Sequence, residues 1–294
     1  LKEVRNEMAV ITHIVGGLGN QMFQYAAGRA LSLRTGQPLK IDIAAMRKYR
    51  RRDFSLEEFN IEASLAAPSD SPVYRPRGFW ARTLQKFRKP SPYHYVRHTE
   101  QAFDPAVLDL TGPIYLEGYW QTEKYFSGFE DTIRNDFSLA QPMSAARQAT
   151  LSEIKASNAV SVHVRRGDYV TNASANAVHG TIDPEWYAAA MRKMAERVPN
   201  PIFFVFSDDP AWASANLKSS WPMVFITPQD DGRDAEDMHL MAACGNHITA
   251  NSTFSWWGAW LNPNPAKHVI APLKWFRSTA HDDKDLIPTS WERV

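Results

Sequence analysis

The first clear pattern along the chain is an apolar stretch, Met8–Val15, that runs into Gly16-Gly17-Leu18-Gly19-Asn20 and predicts a strand followed by a tight turn. Beyond it Met22, Tyr25, Ala26, Ala30 and Leu33 recur at helical spacing, so a helix is expected from Gln21 to Arg34, closed by Gly36. Leu39–Ile43 reads as a second strand, giving a βαβ-like opening. From about Arg47 to Gln101 the pattern breaks into Pro, Arg and aromatic residues, and short helices and insertions laid over a core are expected there.

The second half alternates regularly. Strands are expected at Ala159–Arg165, Ile202–Ser207, Met223–Ile226, His247–Ala250 and Lys267–Ala271. Between them come a helix from Asp183-Pro184 to Val198, with Asp as N-cap and Pro at its first position, and a short helix from Pro210. Glu236–Cys244 and Phe254–Leu261 complete the set. Strand and helix alternating with short links is the signature of a parallel, doubly wound sheet. The least regular join surrounds Gln141-Pro142, so the expectation is α/β with two domains, 1–145 and 146–294, facing each other across a cleft. A length of 294 residues permits this division.

Composition narrows the class. An apolar share of 44% with 22% charged residues excludes a mainly disordered chain, a collagen-like repeat and a coiled coil. The single cysteine, Cys244, allows neither an internal disulfide nor a CxxC zinc site, and a reducing compartment is expected. A net charge of +1 offers no global field for nucleic acid. The charge is uneven, however: Arg47–Arg97 holds twelve Lys/Arg against five Asp/Glu, a solvated face or a surface for an anionic membrane or acidic glycan. No apolar run approaches the roughly 20 residues that span a bilayer. The opening Leu-Lys-Glu-Val-Arg-Asn-Glu is too acidic for a signal peptide.

Four places carry candidate chemistry. Gly16-Gly17-Leu18-Gly19-Asn20-Gln21 lies between strand and helix, where free N–H groups favour an anion, although a plain tight turn has the same look. It is neither GxGxxG nor a P-loop, so NAD and ATP are not indicated. In Val160–Tyr169, alternation puts Val160, Val162 and Val164 on one face and Ser161, His163 and Arg165 on the other. Arg165 then stands at the carboxyl end of a strand, where open α/β sheets bind ligands, and its planar fork suits a pair of phosphate oxygens. Asp168 would orient Arg165 or Arg166, or take a proton. At the next strand end Ser207-Asp208-Asp209 offers carboxylates to a guanine edge or a ribose, or an N-cap to the following helix. Asn251-Ser252-Thr253-Phe254 repeats the strand-to-helix turn with small polar residues, and Asp237 and His239 are expected near the same sheet edge. Trp256 and Trp257 read as core. A cation, carboxylates and hydroxyls at three strand ends of one domain suit a nucleoside diphosphate.

These residues, in this order, resemble a known family. Gly-Gly-Leu-Gly-Asn-Gln-Met-Phe-Gln-Tyr-Ala at 16–26, His-Val-Arg-Arg-Gly-Asp-Tyr at 163–169, Ser-Asp-Asp at 207–209 and Asn-Ser-Thr-Phe-Ser-Trp-Trp-Gly-Ala-Trp-Leu at 251–261 are similar to the bacterial α-1,2-fucosyltransferases, as is Gly-Tyr-Trp-Gln-Thr-Glu-Lys-Tyr-Phe at 118–126. The resemblance runs from about residue 10 to 276. It implies a GT-B-type architecture and inverting transfer of L-fucose from GDP-fucose to the 2-hydroxyl of a galactose-terminated oligosaccharide or lipid-linked glycan. Lipopolysaccharide or O-antigen assembly would be the setting. It places Arg165 on the donor pyrophosphate, with Ser252, Thr253 and Phe254 beside it.

Charge then suggests the mechanism. Cleaving the C1–O bond leaves an oxocarbenium-like sugar and an anionic GDP. No metal or other cofactor is expected, because the one close DxD, Asp283-Lys284-Asp285, follows no strand and reads as a solvated acidic patch. Arg165 and helix-terminal N–H groups would hold the developing charge instead. The base is left open between Asp168 and an oxygen of GDP itself. The donor-side set is therefore Gly17, Gly19, Asn20, Gln21, His163, Arg165, Ser207, Asp208, Asp237, Asn251, Ser252, Thr253 and Phe254. His94, Glu117, Tyr119, Trp120 and Gln121 are the candidate acceptor contacts. A cytoplasmic location is expected, with the basic stretch as a candidate peripheral contact with the inner face of the cytoplasmic membrane. Rival readings are a transferase of another GDP-sugar and a non-catalytic carbohydrate-binding protein.

Overall fold

The computed structural model describes residues 8–49, 53–68, 70, 92–99, 102–227 and 233–294. Nine of the twelve Lys/Arg of the basic stretch between Arg47 and Arg97 lie outside them. The chain divides between Phe137 and Ser138 into two units, a few residues before the expected 145/146. The join is drawn into the second unit because Ser144 caps the helix Ala145–Lys155 while its N–H and hydroxyl donate to Glu236, at 2.9 and 2.8 Å.

The first unit is a parallel sheet of β1 (Val10–His13), β2 (Leu39–Asp42), β3 (Ser64–Leu65), β4 (His94–Arg97) and β5 (Ile114–Glu117), in the order β3-β2-β1-β5-β4. Helix α1 (Leu18–Thr35) makes the β1–β2 crossover. It begins three residues before the expected Gln21 because Gly17, in extended conformation, already accepts from the N–H groups of Asn20 and Gln21. Its buried stripe includes Met22, Tyr25, Ala26 and Ala30. Helix α2 (Ala44–Tyr49) follows β2, and α3 (Glu130–Asp136) is tied to α1 by Asp136, which accepts from Tyr25 Oη at 2.7 Å and Arg29 Nε at 2.8 Å.

In the second unit β6 (Ala159–Val164), β7 (Ile202–Ser207), β8 (Met223–Ile226), β9 (Asn246–Ile248), β10 (Val269–Ala271) and β11 (Glu292–Arg293) form a parallel sheet ordered β8-β7-β6-β9-β10-β11. Relabelled from β6, this is the 3-2-1-4-5-6 order of a dinucleotide-type sheet, whose winding reverses between β6 and β9. Before and around the sheet lie α4 (Ala145–Lys155), α5 (Gly167–Thr171), α6 (Ala173–His179), α7 (Pro184–Ala195), α8 (Pro210–Asn216), α9 (Asp234–Ala243) and α10 (Thr253–Leu261). Asp183 holds the N-cap position of α7 without a side-chain cap bond, leaving Pro184 at the first turn, and the helix ends at Ala195 rather than Val198.

Val160, Val162, Val164, Phe203 and Val205 pack one face of this sheet against Tyr187, Met191 and Met194 of α7. The other face of β6, which carries the polar Ser161 and His163, is buried as well. Its Ser161 meets His247 Nδ1 at 2.9 Å, and Asn262 Nδ2 meets His247 Nε2 at 2.9 Å while also donating to the Cys244 carbonyl. The amide therefore fixes the tautomer: Nε2 accepts, and Nδ1–H donates to the Ser161 hydroxyl. Trp256 and Trp257 are fully buried core residues, as their apolar run predicts.

Candidate functional site

The strongest cluster sits at the carboxyl edge of the second sheet. Arg165 follows the last residue of β6, and its guanidinium is clasped by two carboxylates: NH2 lies 2.6 Å from Asp168 Oδ1 and NH1 lies 2.9 Å from Asp208 Oδ2. Burial alone would lower the pKa of Arg165, but the charges of Asp208 and Asp168 outweigh it and the pKa is raised. The same Asp208 accepts the Arg166 backbone N–H at 2.8 Å. Arg166 turns its side chain the other way, onto Asp209 at 3.2 Å and over the Trp212 ring at 3.8 Å from its centroid. Asp209 also caps α8 by accepting from the Trp212 N–H at 3.1 Å. Of the two readings of the Ser207-Asp208-Asp209 segment, the N-cap is realised by Asp209, while Asp208 is turned to the arginines. Ser207 is buried and accepts the Asp209 N–H at 3.0 Å.

Beside Arg165, His163 is buried and its ring lies 5.6 Å from that of Phe254, in the first turn of α10. Burial, then the Arg165 charge, pushes its pKa down to about 3, so the imidazole is neutral at physiological pH. Ser252 caps α10 through the Phe254 N–H at 3.3 Å. That helix start leans on the reversal between β6 and β9, where amide groups favour an anion. His163 Nδ1 and Asn251 Oδ1 are buried without a hydrogen-bond partner. Orphans of this kind are rare in folded proteins, and these two stand at one sheet edge.

Two residues expected to touch a ligand are occupied in the fold. Asn251 Nδ2 donates to the carbonyls of His179, Gly180 and Trp275, at 2.9, 3.4 and 3.3 Å, and so pins two loops to the strand end. Asp237 is turned to Arg147 of α4, 2.6 Å away, whose NH2 also donates to the Thr227 carbonyl at 2.9 Å. Tyr169 was not among the expected residues, yet it braces the cluster. Its hydroxyl donates to the Asn251 carbonyl at 3.1 Å, its ring lies flat on His179 with 4.6 Å between centroids, and Arg165 stands over it.

The first unit holds a second group, built at the edge where β1 and β5 end. Gly16 has φ +88° and would bring a Cβ within 2.9 Å of Asn20 Nδ2, so only glycine leaves room for that side chain. A Cβ on Gly17 would meet nothing within 4 Å, and Gly19 lies in the first turn of α1. Asn20 Oδ1 accepts from Gln121 Nε2 at 2.9 Å, joining a candidate donor residue to a candidate acceptor residue. Gln21, by contrast, is fully buried: its Nε2 donates to the carbonyls of Gly16 and Asp53 and its Oε1 accepts the Ser55 N–H.

Next to Gln121, Trp120 is 1% exposed and stacks on His98, so it supports the loop rather than forming an open sugar platform. It does so at φ +56°, a left-handed conformation that side chains other than glycine rarely adopt. Tyr119 beside it is exposed. Glu117 is engaged by the Tyr95 hydroxyl and by Arg97 Nε at 3.3 Å. His94 pairs with Ile114 at the amino end of β5, whereas Arg97 is the residue level with Glu117, so the register takes His94 away from this group. The histidine that belongs here is His98, which spacing alone did not single out.

Among the described residues, no three His, Cys, Asp or Glu side chains converge as a metal site. Asp283 is not the solvated residue expected: it accepts the Trp275 N–H at 2.8 Å and pairs with Arg293 at 2.7 Å, fastening the last strand. No described helix is long and apolar enough to cross a membrane.

Comparison with known proteins bears on the family and the fold. The model of glycosyl transferase family 11 matches residues 2–293. An Escherichia coli alpha-1,2-colitosyltransferase is 35% identical over 287 residues, 97% of this chain and 98% of its own. The O-antigen biosynthesis glycosyltransferase WbnK of Escherichia coli is 30% identical over 301 residues, 94% of this chain and 97% of its own. Among solved structures, a point mutant of Arabidopsis thaliana FUT1 in complex with GDP superposes with a TM-score of 0.52 at 13% identity, covering 97% of this chain and 76% of that one, a likeness of fold.

Proposed function

The chain belongs to glycosyl transferase family 11, and on that premise we propose that it moves L-fucose from GDP-fucose to the 2-hydroxyl of a galactose-terminated acceptor, with inversion and without a metal. Its two Rossmann-like domains are of the GT-B type. The observation that carries the reading is Arg165 at the end of β6, beside the reversal of strand order and the capped start of α10.

In this reading the acceptor hydroxyl attacks C1 from the face opposite GDP, the C1–O bond to the diphosphate breaks, the hydroxyl proton passes to Asp168 or to an oxygen of the departing GDP, and charge builds on the phosphate oxygens. Arg165 and the α10 amides hold that charge where a preorganised donor is most effective. His163, neutral and buried, adds no charge of its own and lines the side of the site toward α10. The acceptor is read on the first unit, at Asn20, Tyr119 and Gln121. Assembly of an O-antigen is the setting, which the name of the second Escherichia coli relative supports, and the cytoplasm is the compartment of this reading.

A second reading differs only in the sugar. The relative 35% identical to this chain is named for colitose, so GDP-colitose is the competing donor. The deciding experiment offers GDP-fucose, GDP-colitose and other GDP-sugars with a set of galactosides, and reads the product linkage by NMR. An α-1,2-fucosylated galactoside formed equally well in EDTA is expected. Turnover with GDP-colitose alone would move the assignment to the second sugar, and no turnover with any donor would leave a carbohydrate-binding protein.

A further inference from the structure

Arg165 is held by more than its two carboxylates. Its Cζ also stands over the ring of Tyr169, 5.5 Å from the centroid, in the single-turn helix α5 of the same segment. Tyr169 is buried, and a cation over an aromatic face is worth most where water is kept away. An arginine gives up much rotamer freedom when it is fixed, and a rigid ring beside it settles that cost in the folded protein rather than at binding.

The ring is itself firmly placed. Its hydroxyl donates to the Asn251 carbonyl at 3.1 Å, His179 stacks on it with 4.6 Å between centroids, and its backbone carbonyl accepts from Asn176 Nδ2 at 2.6 Å. Burial raises the pKa of the phenol above its ordinary 10, so the hydroxyl stays a donor and does not titrate. Asn251 is pinned in turn by the carbonyls of His179, Gly180 and Trp275. The residue after it, Ser252, is the N-cap of α10. One side chain therefore touches both halves of the anion site: its ring lies beside the guanidinium at the end of β6, and its hydroxyl grips the residue that precedes the helix cap.

We infer that Tyr169 is a positioning residue, which holds the Arg165 guanidinium in register with the start of α10 so that both meet the same phosphate of a nucleoside diphosphate. It acts on the ligand through Arg165. The inference rests on the reading of this site as one for a GDP-sugar.

The experiment compares GDP with GMP, which lacks the phosphate that departs from C1. Calorimetry is run on the whole chain for the wild type, Tyr169→Leu and Tyr169→Phe, with GMP read by its displacement of GDP and melting temperatures as the check of folding. Tyr169→Leu removes the ring and is expected to bind GDP about tenfold more weakly, while GMP changes less than about twofold. Tyr169→Phe keeps the ring and should lose only about twofold in its preference for GDP. An unchanged preference for GDP over GMP in Tyr169→Leu overturns the inference, as does an equal weakening of both nucleotides, which would mark a structural role. Should Tyr169→Leu fail to fold, Tyr169→Met, which fills more of the space without a π face, carries the same expectation. If the folded wild type binds neither nucleotide, the nucleotide reading itself falls and this inference with it. A wild type that prefers GDP, with the preference intact in the leucine variant, removes the inference alone.

Discussion

Gly167 and Asp208 fit together only because one of them has no side chain: a Cβ on Gly167 would lie 2.5 Å from Asp208 Oδ2. That oxygen is the one 2.9 Å from Arg165 NH1, and its twin accepts the Arg166 N–H. A methyl group there forces the carboxylate off both. Gly167→Ala is therefore expected to lower kcat/KM about tenfold by releasing the Arg165 fork. Its melting temperature should barely fall, since alanine suits the first turn of α5. Initial rates and a thermal melt check both halves, and an alanine variant with wild-type kcat/KM would show that Asp208 yields without consequence.

Arg165 itself carries the larger prediction. If its guanidinium holds the departing diphosphate, Arg165→Ala loses about 10²–10³ in kcat, the ~2.7–4 kcal/mol typical of one preorganised donor. Arg165→Lys keeps the charge but not the fork and should recover only part of the loss. Circular dichroism separates this from unfolding. Near-normal turnover in a folded Arg165→Ala protein would falsify the assignment.

Why Arg165 and its near neighbour Asp168 were legible in the sequence as a pair, and the pairing with Asp208 was not, follows from what each depends on. A strand end is a local property: the apolar runs Ile202–Ser207 and Met223–Ile226 read as strands with the ends they have in the fold. The pairing of Asp208 with Arg165, or of Asp237 with Arg147, depends on where the sheet and α4 bring distant segments together. Amide side chains were the least readable. Gln21 and Asn251 are as well suited to backbone groups as to a sugar, and the fold spends both on backbone. Nor did the pattern show β4, an exposed edge strand of His-Tyr-Val-Arg with no apolar stripe, or α4, whose placement depends on Glu236 meeting Ser144.

The Asn20–Gln121 bond gives the first unit its own test. Both side chains are half-buried, and one neutral hydrogen bond contributes about 1 kcal/mol. Gln121→Ala should therefore leave the protein folded with a small loss of stability. If this edge receives the acceptor, the variant raises the acceptor KM about fivefold while the donor KM stays put. A rise confined to the donor KM would assign the edge to the nucleotide sugar instead.

The two most deeply buried histidines predict how the protein responds to acid. Burial, with Arg165 near one and Lys267 near the other, pushes His163 and His247 down to about 3 from their ordinary 6.5. In the unfolded chain both take up a proton near pH 6.5, whereas the folded protein refuses it until about pH 3. The unfolded state thus binds more protons throughout that window. The stabilisation is complete above about pH 6.5 and drains away as the pH falls, by about 1.4 kcal/mol per pH unit for each histidine. Urea midpoints from pH 7 to pH 5 should fall steeply in the wild type and less steeply in His163→Gln, with a further flattening when His247→Gln is added. Parallel slopes in all three proteins would mean that these imidazoles titrate alike in both states, and that His163 is not the uncharged wall that the site requires beside Arg165.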